Sequence, residues 1–126
     1  MTPKPGLRAA ALSSILGALT MLGAQPAHAA AAPVATSPVR YAALIHPPRV
    51  IRLRFSEAIV KKSSTVSLTD LSGQPVRVKT IKGHDDSSLE VAIATKLGAG
   101  VYMVHWTCVS AVDGSKTTSS YQFTVQ

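Results

Sequence analysis

The chain has 126 residues, 46% of them apolar, a single cysteine and a formal net charge of +7. That length holds one domain at most, and Cys108 alone excludes an intramolecular disulfide framework. The basic balance would suit nucleic acid, an anionic membrane surface or an acidic partner, but the charges are scattered along the chain, as on a solvated surface, and nucleic acid fits least.

The first element reads as an export signal and is not expected to be part of the fold. Lys4 and Arg8 precede a mostly apolar run over residues 9–23, which includes Leu12, Ile15, Leu16, Leu19 and Leu22. The run is short for a membrane span, Pro26 follows it, and Ala27-His28-Ala29 places small residues where a signal peptidase reads them. Residues 1–29 are therefore expected to be a signal peptide cut after Ala29, leaving no membrane span and a periplasmic product. A cut after Ala27 would make His28 the first residue, but Gln25 at the outer recognition position disfavours it. With Lys4 and Arg8 removed, eleven Lys and Arg remain against six Asp and Glu, a charge of +5. A domain of this size without disulfides must rely on close sheet packing or a bound ligand.

Residues 30–39, rich in Ala and Pro, read as a flexible lead-in, and residues 40–126 as the domain. A short strand is expected over residues 40–45. Pro47-Pro48 then blocks helix and sets an extended approach to a strand over residues 50–55, where Ile51, Leu53 and Phe55 alternate with Arg52 and Arg54. Residues 65–70 repeat the pattern with Val66 and Leu68 inward, and Leu71-Ser72-Gly73-Gln74 turns the chain. Further strands are expected over residues 76–82, around Leu89, Val91 and Ile93, and over residues 101–106 and 120–125. No amphipathic helix and no internal repeat appears. Seven short strands at regular spacing predict an all-β, seven-stranded Greek-key sandwich or barrel with Trp106 in its core.

Three segments together resemble one family. Residues 48–57, Pro-Arg-Val-Ile-Arg-Leu-Arg-Phe-Ser-Glu, resemble a proline leading into an alternating strand that ends Phe-Ser-Glu. Residues 100–106, Gly-Val-Tyr-Met-Val-His-Trp, resemble a Gly-x-Tyr-x-Val-x-Trp strand. Residues 109–114, followed by 120–125, resemble the closing segment. Their order and spacing, from about Ser37 to Gln126, are similar to CopC-type periplasmic copper resistance proteins. The resemblance implies an immunoglobulin-like or cupredoxin-like barrel that carries or sequesters copper, acts in copper homeostasis alongside an inner-membrane CopD-type copper permease, and is monomeric. It also implies a Cu(II) site built from an N-terminal His and, in the closing segment, an Asp with a His two residues later. Such nitrogen and oxygen ligands suit Cu(II).

This chain departs from that pattern at both histidines. Its expected mature terminus is Ala30, and Asp113 is followed two residues on by Ser115. A methionine-rich Cu(I) site is also missing, since Met103 is the only methionine past the signal, so Cu(II) is favoured over Cu(I). The candidate ligands are Asp113 with one or two of His46, His84 and His105, completed by water. Each has a plainer role. Asp113-Gly114 forms a turn, His46 precedes two prolines, His84 sits beside Asp85 and Asp86 in an exposed turn, and His105 alternates with Trp106 and so faces outward. Cys108, in step with Trp106, reads as a buried inert thiol, and Glu57 as a strand-end cap or ion-pair partner. No Ser-His-Asp order, phosphate loop or His-Glu-x-x-His motif is present, so the chain is not expected to be an enzyme. The alternative to a degenerate copper site is a metal-free sandwich kept for protein contact.

Overall fold

Two facing sheets bury the alternating residues just described. The computed structural model describes residues 30–81, 83 and 85–126. The expected signal peptide, with His28, lies outside these residues, as do Lys82 and His84. The strands are β1 (Pro33–Ser37), β2 (Ala43–Leu44), β3 (Val50–Phe55), β4 (Thr65–Asp70), β5 (Pro75–Val76), β6 (Val78–Ile81), β7 (Ser88–Ile93), β8 (Gly100–Val109) and β9 (Lys116–Val125), with one 3-10 turn at Lys61–Ser63. One sheet has the order β1-β3-β7-β6 and the other β2-β9-β8-β4-β5. All pairings are antiparallel except β2 with β9. The chain crosses between sheets after β3, and β7 returns beside β3 while β8 lies beside β4, which is Greek-key connectivity. Among the described residues no helix is long and apolar enough to cross a membrane.

Period-two alternation sets the core. Ile51, Leu53 and Phe55 of β3 and Leu89 and Val91 of β7 face Val66 and Leu68 of β4, Tyr102, Val104 and Trp106 of β8, and Tyr121, Phe123 and Val125 of β9. Phe55 meets Trp106 edge to face across the interior, with centroids 5.4 Å apart, and Tyr102 stacks on Phe123 at 5.7 Å. Tyr102 keeps its hydroxyl satisfied by donating to the Gly98 carbonyl at 2.9 Å.

The structure has nine strands among the described residues where the pattern predicts seven, for two reasons. Residues 30–39 are not a loose lead-in: Ala31 is buried and Pro33–Ser37 forms β1 along β3. Pro33 begins an edge strand, where a missing N–H costs no ladder bond, so a proline-rich composition hides it. The expected single strand 76–82 is divided. β5 pairs with β4 and β6 with β7, so the chain changes sheets at Arg77, and alternation alone cannot distinguish one strand from two collinear ones. The strand expected at 40–45 shrinks to Ala43–Leu44, because Tyr41 takes a left-handed backbone, φ 62°.

The β8–β9 hairpin gives the molecule two ends. It is paired from Gly100↔Val125 to Val109↔Lys116, ten residues that span about 30 Å. Residues 110–115 form its tip, and residues 45–49 and 94–99 lie at the opposite end.

Candidate functional site at the hairpin tip

The tip carries two carboxylates, each held by a serine hydroxyl. Beyond Phe55 the chain leaves β3 through Ser56 and Glu57 and passes under the hairpin. There Ile59 bridges Ser110 in the antiparallel sense and the Ala111 N–H donates to the Ala58 carbonyl at 2.9 Å. This holds half-buried Glu57 against fully buried Ser110, whose hydroxyl donates to Glu57 Oε2. The same Ser110 Oγ accepts the N–H of Val112 at 3.0 Å and of Asp113 at 3.4 Å. The turn closes with the Gly114 N–H on the Ser110 carbonyl at 3.0 Å. Gly114 has φ 76°, a left-handed conformation that glycine takes without strain. Asp113 in turn accepts from Ser115, from its N–H at 3.0 Å and its hydroxyl at 2.7 Å.

The start of the described chain reaches the same end. The Ala32 N–H donates to Ser56 Oγ at 3.1 Å, and the Ser56 N–H donates to the Ala32 carbonyl at 2.8 Å. Residues 30–32 are thereby tied beside the segment that carries Glu57.

Cys108 points inward just below the tip and is fully buried. Burial pushes its thiol up from the ordinary value, the Glu57 carboxylate pushes it further, and a hydrogen bond with Ser64 opposes both. Ser64 is itself held in place, with its hydroxyl donating to the Val60 carbonyl at 2.8 Å and accepting the Val109 N–H at 3.0 Å. The thiol is thus an inert part of the core.

His46 and His105 do not join Asp113. His46 lies at the far end of the sandwich, beyond the Leu44↔Val125 pairing. His105 is exposed in the middle of β8, and its Nε2 is 3.0 Å from Thr69 Oγ1 on the neighbouring strand. His84 lies outside the described residues. Among the described residues no three His, Cys, Asp or Glu side chains converge as a metal site would require. What the tip offers instead is oxygen: the carboxylates of Glu57 and Asp113, each in contact with a serine hydroxyl. Such a donor set fits Cu(II) poorly without a nitrogen ligand. The sequence pattern did not single out Ser110, which joins Glu57 across 53 positions of chain, and only the crossing of the two segments reveals their contact.

The comparisons agree with this architecture. The CopC domain family matches residues 33–126. A crystal structure of PcoC, a methionine-rich copper resistance protein from Escherichia coli, superposes with a TM-score of 0.71 at 33% identity, covering 78% of this chain and all of that one. The crystal structure of CopC from Methylosinus trichosporium OB3b superposes with a TM-score of 0.70 at 26% identity, covering 76% of this chain and 93% of that one. No match was found among curated proteins.

Proposed function

The chain belongs to the CopC domain family, and from that premise we propose that it is a periplasmic copper-binding protein of copper homeostasis, a carrier or buffer and not an enzyme. The observation that carries this reading is the gathering of Glu57, Asp113 and the start of the domain at one end of the sandwich, where Ala32 and Ser56 are tied together. Signal cleavage after Ala29 would free the amine of Ala30, two residues before Ala32. That amine would supply the nitrogen donor that the tip lacks, with Glu57 and Asp113 as oxygen donors and water completing a weak Cu(II) site. A site with one nitrogen and no imidazole releases copper readily, as suits delivery to a membrane permease of the CopD type.

A second reading has its own support. Both carboxylates already hold serine hydroxyls, which suits a fold kept for protein contact without metal. A Cu(II) titration of the chain beginning at Ala30, followed by calorimetry and electron paramagnetic resonance, separates the two. One-to-one binding with nitrogen coupling, weakened by Asp113→Ala and by acetylation of the terminal amine, supports the copper reading. Uptake no greater than that of a control protein overturns it and leaves the contact module.

A further inference from the structure

The end of the sandwich opposite the hairpin tip carries a basic groove that nothing in the copper reading uses. One wall is residues 46–49, the approach to β3, and the other is residues 93–96, the exit from β7; between them lies a volume of about 490 Å³. Two backbone bonds fix the β7 exit from both sides: the Ile93 N–H donates to the Arg49 carbonyl at 2.8 Å and the Ala94 N–H to the Arg77 carbonyl at 3.0 Å. Pro47 and Pro48 stiffen the first wall, and with half-buried Ile93 they supply the apolar part of a mixed lining. His46, Arg49 and Lys96 line it with exposed side chains, and Arg77 flanks it.

No acidic side chain among the described residues pairs with these cations. The six acidic residues of the chain are all placed elsewhere. Glu57 and Asp113 are at the tip. Asp85 and Asp86 are beside it, the Asp86 carbonyl accepting the Ile59 N–H. Glu90 pairs with Arg52 on the outer face of a sheet. Asp70 is in the β4–β5 turn, where its carboxylate accepts from Ser72 and Gln74. Arg52–Glu90 is the single ion pair among the described residues, so Arg49, Arg77 and Lys96 pair with no carboxylate there. Glu57, Asp85, Asp86 and Asp113 thus gather toward the tip, where Lys61, Lys62 and Lys116 accompany them, and the groove keeps its cations without an acidic side chain beside them.

We propose that this groove docks an acidic, extended segment of a partner protein, with Arg49 and Lys96 pairing its carboxylates and Pro47, Pro48 and Ile93 receiving the apolar side chains between them. The concave shape and mixed polar and apolar lining suit a chain with alternating side chains better than the flat surface of an anionic bilayer. Complementary charge of this kind raises association rates and selects partners. The inference depends on no metal, so its failure and that of the copper reading are separate results.

The test is fluorescence anisotropy, without copper, of a labelled Glu-Leu repeat peptide, its Gln-Leu counterpart, and vesicles containing phosphatidylglycerol. The Glu-Leu peptide should bind and the Gln-Leu peptide should not. Binding should weaken by about tenfold or more in Arg49→Gln/Lys96→Gln and fall as salt screens the exposed charges. Lys62→Gln/Lys116→Gln, which removes the same charge near the tip, should leave it unchanged. All four side chains are exposed, so both variants should fold, and the charge-reversed Lys96→Glu alone should also reduce binding. Equal binding of the two peptides, equal weakening by the two double variants, or binding to vesicles but not to peptide would each overturn the proposal.

Discussion

Ser115 donates both its N–H, at 3.0 Å, and its hydroxyl, at 2.7 Å, to the single oxygen Oδ1 of Asp113. The residue that stands where the resemblance implies a histidine is therefore folded directly onto the implied carboxylate ligand. An imidazole at position 115 would start from the same backbone and reach the same neighbourhood. Ser115→His should tighten Cu(II) binding and bring imidazole nitrogen coupling into the paramagnetic spectrum. Changes of groups that merely support metal ligands move affinity by about 10–100-fold, so a direct imidazole ligand should do no less. Titration of wild type and variant side by side checks this. An unchanged affinity would mean that the tip cannot turn a side chain at 115 toward metal.

What the sequence made legible was whatever repeats locally. The inward sets Ile51-Leu53-Phe55 and Tyr121-Phe123-Val125 follow from alternation, as do the outward face of His105 and the burial of Cys108 beside Trp106. Pairing across long separations was not legible. Nothing near Ser110 announces Glu57, because their contact depends on β3 leaving its sheet beneath the β8–β9 tip. The separation of His46 from Asp113 depends equally on the paired length of that hairpin. Arg77 hides its role for another reason: a change of sheet within one extended run leaves the alternation of Val76 and Val78 almost undisturbed.

Ser110 supports the tip more than its size suggests. Its hydroxyl serves Glu57 and two backbone N–H groups from a fully buried position. In Ser110→Ala the N–H groups of exposed Val112 and Asp113 turn to water, whereas half-buried Glu57 loses its partner, a loss that costs about 1–3 kcal/mol. Urea unfolding should show destabilisation in that range, whereas Glu57→Gln, whose amide oxygen can still accept the Ser110 hydroxyl, should cost less. Equal losses would place the cost on the Glu57 charge and not on the hydrogen bond.

Trp106 joins the two sheets through its edge-to-face contact with Phe55. With no disulfide, that interface rests on apolar packing. Trp106→Ala should cost about 3–5 kcal/mol, the usual range for removing a large buried ring. For a domain of this size, a loss of that order uses up much of the total stability. Phe55→Leu keeps most of the volume and should cost clearly less. Denaturant midpoints of the two variants against wild type decide the order.

Tyr121 makes the fold sensitive to alkali. Its ring is buried and its hydroxyl finds no hydrogen-bond partner of good geometry, even though Thr36 is close enough to pull slightly against the shift. Burial pushes the phenol from its ordinary 10.0 up to about 12, because the folded interior disfavours the charged form. The folded state therefore holds the phenolic proton more tightly than the unfolded chain. The stability linked to this group is complete below pH 10 and is lost as the pH rises toward 12. Two units correspond to at most about 2–3 kcal/mol. Tyr121→Phe removes both the titrating group and the buried hydroxyl without a partner, so it should match or exceed wild type in stability at neutral pH. It should also lose stability less steeply between pH 10 and pH 12. Unfolding curves of the two proteins across that window test both statements. Parallel declines would assign the alkaline sensitivity to other groups, Cys108 among them, whose raised thiol acts in the same direction.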